Sequence, residues 1–159
     1  MTASTNRHES SVIRIDDKQA DGRSILNLAE VLARLPSNFN GLTWAVQDLA
    51  VSGVSPSGAD VSEVEAQTKQ LPSGLILPWD DLVRFAKSIT QVQDGVIVGS
   101  RDAGHMPPVG ADSDVLASYP VVLEAVDSSY WLLHVIDPNV RTRSAQAFRS
   151  VHLAYVSDL

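Results

Sequence analysis

Four histidines are the first side chains to consider for catalysis or metal binding. They are His8, His105, His134 and His152, and no two of them stand three or four residues apart, as the histidines of a zinc-binding helix do. His134 and His152 fall within predicted strands, where a structural role is the commoner one. His105 is different, because it lies in a long polar loop that also carries aspartates.

The loop around His105, residues 101–118, has two chemical interpretations. One is hard-metal binding by His105 with Asp102, Asp112 and Asp114, but their spacing matches no calcium-binding loop. The other is a small-molecule-binding or enzymatic domain in which the loop is a lid over His105 and Asp102. The chain has no Cys, no P-loop and no G-x-G-x-x-G or G-x-S-x-G motif. We therefore expect no catalytic residues, no metal and no cofactor.

Three aspartates outside that loop are candidates for a different task, which is binding a partner. Asp80 and Asp81 begin a predicted helix, where adjacent side chains point in different directions and complement the helix dipole. Asp127 lies in a predicted turn beside Tyr130 and Trp131, an arrangement that can present an acid with aromatic anchors. The alternative for Asp127 is an ordinary turn-forming role.

The distribution of charge also favours a basic partner. The net charge is −7, and residues 42–137 hold thirteen acids against four bases. Residues 1–41 are balanced, whereas residues 138–159 carry three Arg against one Asp. An acidic core argues against nucleic-acid binding and for attraction to a basic surface. Solubility alone is the alternative explanation of this charge.

Length and composition are those of an ordinary globular protein. The 159 residues are 44% hydrophobic and 19% charged, which indicates one domain. No apolar run approaches the ~18 residues of a membrane span, and the first residues lack the apolar segment of a secretory signal. We therefore expect a cytoplasmic protein that binds no membrane, and the sequence leaves its oligomeric state open.

The elements that position these residues are organised around residues 74–100. A short apolar run at 75–77 predicts a strand, and the stripe that begins at Trp79 predicts an amphipathic helix with Leu82 and Ile89 on its buried face. Asp94 and the glycine after it predict a turn, and the β-branched residues 96–98 predict a second strand. We expect the helix stripe, with Ala86, and residues 96–98 to form the main core.

The remaining elements follow from periodicity and capping signals. Residues 1–23 are polar and expected to be mobile, apart from a possible edge strand at 12–15, and Ser24 is the expected N-cap of a helix. Further strands are predicted at 42–49, 121–126, 130–136 and 151–156, and further helices at 60–70 and after Asp137, with one turn at 114–118. The strands at 121–126 and 130–136 are apolar on both faces, so we expect a central hairpin.

Together these elements predict an α+β fold. We expect a single domain over residues 24–159, built on a mixed, mostly antiparallel sheet of five or six strands. Three or four helices are expected mainly on one face of that sheet.

Two phrases carry a resemblance to a known class of proteins. LPWDDLVRFAKSITQVQDGVIVG and VLEAVDSSYWLLHVID resemble segments of small acidic bacterial immunity-type proteins of polymorphic or contact-dependent toxin systems, over roughly residues 40–140. The resemblance implies a non-enzymatic protein that binds one cognate toxin and blocks its active site. The alternative remains a small-molecule-binding or enzymatic domain with the 101–118 loop as its lid.

A basic toxin would be recognised by an acidic face. We expect Asp127, Tyr130 and Trp131 to anchor such a complex, since a few central residues hold most interfaces. We expect Asp80 and Asp81 to steer association through complementary charge.

Overall fold

Seven strands form one antiparallel sheet in the computed structural model, which describes residues 12–52 and 61–159. The strands are β1 (Val12–Ile15), β2 (Thr43–Ser52), β3 (Leu75–Pro78), β4 (Gln91–Ser100), β5 (Val121–Val126), β6 (Tyr130–Val135) and β7 (Val151–Ala154). The α-helices of these residues are α1 (Leu28–Arg34), α2 (Val61–Gln70), α3 (Trp79–Ser88), α4 (Ser113–Leu116) and α5 (Pro138–Gln146). None of these helices is long and apolar enough to cross a membrane.

The strand order is β3-β2-β4-β5-β6-β1-β7. The predicted α+β class is confirmed, and the β5–β6 hairpin lies at the centre of the sheet as its apolar faces predicted. Seven strands are present rather than five or six, because β1 and β7 pair with each other and extend the sheet beyond β6.

Consecutive strand residues point to opposite faces, so the sheet has two different sides. The helix face is the side on which α1, α3 and α5 pack over the main core. That core includes Trp44, Ile97, Leu123, Leu133 and Leu82, the last of these from α3. Ile97 therefore belongs to the predicted core, whereas its neighbours Val96 and Val98 point to the other side.

The opposite side, which we call the loop face, is covered by irregular chain instead of long helices. Val98 and Val122 pack against Leu116 of α4, and Leu159 at the end of the chain contacts the same cluster. The buried Gln47 side chain donates hydrogen bonds to the Pro107 carbonyl at 2.7 Å and to the Ser73 carbonyl at 3.0 Å. These bonds fix the long loop onto the sheet.

Two expectations for the beginning of the chain are corrected. β1 is an interior strand between β6 and β7, not an edge strand, so residues 12–15 belong to the fold and not to a mobile segment. Residues 1–11, also predicted to be mobile, lie outside the described residues. Ser24 does not cap α1, because its hydroxyl donates to the carboxylate of Asp21 at 2.7 Å. The N-cap is Asn27, whose side chain accepts from the N–H of Glu30.

The predicted turn at Asp94-Gly95 is also wrong. β4 begins at Gln91 and runs through both residues, with Asp94 opposite Ala50 and Gly95 opposite Ala125. A Cβ at Gly95 would lie 3.0 Å from Cδ1 of Leu49, so this glycine allows close packing rather than a turn. The irregularity lies instead in β2, where a bulge places Asp48 at a φ of 47°.

Leu82 tests the orientation of α3. Its side chain is 0% exposed in the main core, so Leu82→Ala should lower the free energy of unfolding by about 2–5 kcal/mol. Urea unfolding measures this change. Leu153→Ala is the control, because the same truncation at an exposed position should cost below about 0.5 kcal/mol. A Leu82 cost as small as that of Leu153 would contradict the packing of α3 on the helix face.

Candidate functional site

The five residues expected to bind a partner do not form one surface. Asp80 and Asp81 follow β3, which ends at Pro78 opposite Thr43. Asp127 follows β5 at the other end of the sheet, beyond the pair of Val126 with Tyr130. The antiparallel ladder therefore separates the two groups of acids by the length of the strands. Asp81 also forms an ion pair with Arg84 of its own helix.

Trp131 is not available to a partner, so the expectation that it anchors a complex is corrected. Its side chain is 0% exposed on the helix face, and its indole N–H donates to the Leu26 carbonyl at 2.8 Å. Tyr130 points to the loop face because strand neighbours alternate. It is half-buried, and the guanidinium of Arg14 lies 3.9 Å from the centre of its ring.

Asp127 forms the tight turn of the central hairpin. It and Ser128 have φ angles of 48° and 55°, the pair of positive values that a type I′ turn requires. The Asp127 N–H donates to Oδ1 of Asp94 at 2.9 Å, and the Ser128 N–H donates to the Gln93 carbonyl. The turn-forming interpretation is therefore confirmed. The carboxylate of Asp127 remains exposed, next to Asp94.

Beside this turn the sheet carries a concavity that we call the acidic hollow. It has a volume of about 340 Å³, and its charged lining residues are Asp48, Asp94 and Glu124 with Lys69. β2, β4 and β5 bring these carboxylates together. The hollow thus has three acids and one base. It lies on the loop face, at the end of the sheet that the long loop does not cover.

Glu124 is the chemically unusual residue of the acidic hollow. Burial, and then the negative charge of Asp94, raise the pKa of Glu124 to about 7. Its Oε2 atom is buried and has no hydrogen-bond partner among the described residues. A half-buried carboxyl with one buried oxygen unpartnered among the described residues favours binding of a cation that brings both a positive charge and hydrogen-bond donors.

Sequence reasoning missed the acidic hollow. Glu124 did carry a local signal, since it is the single charged residue of the apolar strand VVLEAV. Asp48 and Asp94 carried no such local signal. Asp48 is exposed by the bulge in β2, and Asp94 is positioned by the extension of β4. Both features depend on pairing between strands that are distant in sequence.

The histidine and aspartate of the long loop lie on its outer side. Nδ1 of His105 is 2.8 Å from Oδ2 of Asp102, and the two side chains are 85% and 64% exposed. The Gly104 N–H, and then the His105 ring, hold the pKa of Asp102 below its ordinary value. The Ser100 hydroxyl bonds to the carbonyl oxygens of Asp102 and His105, which fixes the backbone between them.

Asp112 and the two strand histidines have structural partners, and Asp114 lies in the first turn of α4. Asp112 caps α4 by accepting from the N–H of Val115. The ring of His134 is buried and lies 3.0 Å from the Ala117 carbonyl, and His152 pairs with Asp16 at 3.1 Å. No group of three His, Asp or Glu side chains that could hold a metal ion occurs in the described part of the chain.

A comparison of the chain with protein-family models, with curated proteins and with solved structures found no match. The resemblance to immunity-type proteins therefore stays a prediction, and function has to be argued from the geometry.

The raised pKa of Glu124 has a measurable consequence for stability. A folded-state pKa of about 7 lies above the ordinary value of 4.5, so the folded protein holds the proton more tightly than the unfolded chain does. This contribution to stability is greatest below pH 4.5, declines as the pH rises towards 7 and is absent above pH 7. Glu124→Gln removes the ionisable group, so the stability of this variant relative to wild type should rise between pH 5 and pH 8.

Urea unfolding at several pH values measures this difference. Glu63→Gln, at an exposed position of α2, removes the same charge outside the hollow and serves as the control. A stability difference between Glu124→Gln and wild type that does not change with pH would contradict the burial of this carboxyl.

Proposed function

We propose that the chain is a non-enzymatic, cytoplasmic binding protein of immunity type, which holds a basic surface of a cognate protein toxin against the acidic hollow. The observation that carries the proposal is Glu124, whose buried oxygen has no partner among the described residues while Asp48 and Asp94 surround it. Carboxylates in this arrangement repel one another until a cation arrives. The resemblance to immunity-type proteins supports the toxin as the class of partner.

An arginine or lysine side chain of the partner would enter the acidic hollow. An arginine can donate two parallel hydrogen bonds to one carboxylate and a further bond to a neighbour, which matches Glu124 with Asp94 beside it. Asp127 stands exposed next to Asp94, so it would contact the partner outside the hollow. Lys69 offsets the charge of one of the three acids that line the hollow. One or two cations of a partner would neutralise the negative charge that remains.

Charge would act on association as well as on the bound state. The excess of acids over residues 42–137 attracts a basic protein during encounter, and exposed charges are screened beyond ~8 Å at physiological ionic strength. Asp80 and Asp81 contribute to this attraction from the far end of the sheet, but they cannot touch a partner that is centred on the hollow.

The alternative, a ligand-binding or enzymatic domain with residues 101–118 as a lid, has less support. Gln47 and Ser100 bind the loop to the sheet through backbone carbonyls. The His105 and Asp102 side chains are exposed and bond to each other on the outer side of the loop. A cavity of about 530 Å³ does lie between the loop and residues 71–76, but neither His105 nor Asp102 lines it. A substrate beneath the loop would have to displace the packed cluster around Leu116.

Paired charge removals test the proposed site. The variant Asp94→Asn with Glu124→Gln should raise the Kd for a basic toxin by at least about 100-fold, mainly through faster dissociation, because a buried cation loses its partners. The matched variant Asp80→Asn with Asp81→Asn removes as many acids and should change association by about threefold or less. Binding kinetics against the purified product of the adjacent gene, at low and high salt, measure both constants.

Three further readings complete this experiment. Asp127→Ala should chiefly accelerate dissociation, association of the wild type should slow as salt rises, and co-expression with the wild-type chain should relieve the toxicity of the partner. Binding that is independent of salt and equal for the two double variants would contradict the acidic hollow as the contact. Tight binding without relief of toxicity would contradict the immunity role alone.

A further inference from the structure

The second surface of note is the edge of the sheet at β7, where no further strand pairs among the described residues. Leu153 is 81% exposed there, in a strand that has no charged residue. A groove of about 610 Å³ runs between β7 and α5, and Ile13, Val151, Leu153, Ala145 and Phe148 supply its apolar lining. Soluble proteins usually protect such edges with charges or proline, so an exposed leucine beside an apolar groove indicates a binding edge.

The hydrogen bonds of β7 define which backbone groups are free. The N–H of Asp16 donates to the Ser150 carbonyl at 2.9 Å. Because bonded and non-bonded pairs alternate in an antiparallel ladder, Val151 and Leu153 point their N–H and C=O groups away from β1. Beyond them the edge ends, since the Tyr155 N–H already donates to Asp158 at 2.8 Å.

The other end of the edge is closed in a similar way. The buried carboxylate of Asp17 accepts hydrogen bonds from the N–H groups of Arg149 and Ser150. Two residues of β7 therefore offer two donors and two acceptors to an added strand. The added strand can therefore pair only along the length of β7.

The charge around the groove is opposite to that of the acidic hollow. Among the residues that the structure describes, Arg141 is the one charged side chain that lines the groove. Residues 138–159 carry Arg141, Arg143 and Arg149 against Asp158, in a chain whose net charge is −7. An added strand therefore needs apolar side chains for the groove and carboxylates for the basic surroundings.

We propose that β7 binds an extended segment of another protein in which apolar residues alternate with acidic ones, and that this segment joins the sheet as an eighth strand. Its backbone pairs with Val151 and Leu153, and its apolar side chains lie in the groove beside Leu153. A second copy of the chain is a poorer occupant, because pairing two β7 edges would bring the arginines of the two α5 regions together.

Two synthetic peptides test this proposal on the full-length protein. One alternates glutamate with valine and the other alternates lysine with valine, so the two share backbone and apolar residues and differ only in charge. In two-dimensional amide NMR, the glutamate peptide should shift the Val151 and Leu153 signals and leave Ile76 of the opposite edge strand unchanged. Measured from the Val151 and Leu153 signals, the lysine peptide should bind β7 at least about tenfold more weakly, whatever it does at the acidic hollow.

Charge substitutions at Leu153 supply the matched variants. Leu153→Glu and Leu153→Lys change the same exposed position, so neither should disturb the fold. The first should weaken binding of the glutamate peptide at least about tenfold relative to the second. Three results would each overturn the proposal. They are equal affinity of both peptides as read from the Val151 and Leu153 signals, no shift at β7 with the glutamate peptide, and β7 shifts that depend on protein concentration without peptide and accompany a doubled mass.

Discussion

Burial of both faces of the central strands is the constraint on which this structure depends. β4, β5 and β6 have neighbours on both sides in the sheet, so their side chains have to be covered above and below it. Three helices cover one face. The other face is covered by the long loop, which is fixed by the 2.7 Å bond from Gln47 to the Pro107 carbonyl, and by the end of the chain. The part of this face that the loop and the chain end do not cover carries the acidic side chains of Asp48, Asp94 and Glu124.

The acidic hollow is therefore a consequence of incomplete cover. Glu124 follows the covered Val122 on the loop face of β5, and it keeps a buried oxygen without a partner among the described residues. Such a carboxyl costs stability in the isolated protein, and an arriving cation would recover that cost. Buried polar atoms without a partner break the local rules that the rest of a sequence obeys, and the described chain has two of them, Oε2 of Glu124 and the indole nitrogen of Trp44.

Local signals in the sequence were sufficient for most elements but not for the site. The stripe of α3 and the two apolar strands of the hairpin depend on neighbours in sequence, and they were predicted correctly. The extension of β4 through Asp94-Gly95 depends on pairing with β2 and β5, which periodicity does not encode. The same pairing decides which acids meet, and the alternation of β6 decides that Tyr130 and not Trp131 reaches the loop face.

In the proposed function, the half-buried carboxyl of Glu124 binds a positively charged group of the partner. The most direct measurement is a carbon NMR titration of the Glu124 carboxyl, in the free protein and in the complex with the adjacent gene product. The account predicts a midpoint near 7 in the free protein and a clearly lower midpoint in the complex, because a bound cation stabilises the ionised form. An ordinary midpoint near 4.5 in the free protein, or a midpoint that a bound partner leaves unchanged, would contradict it.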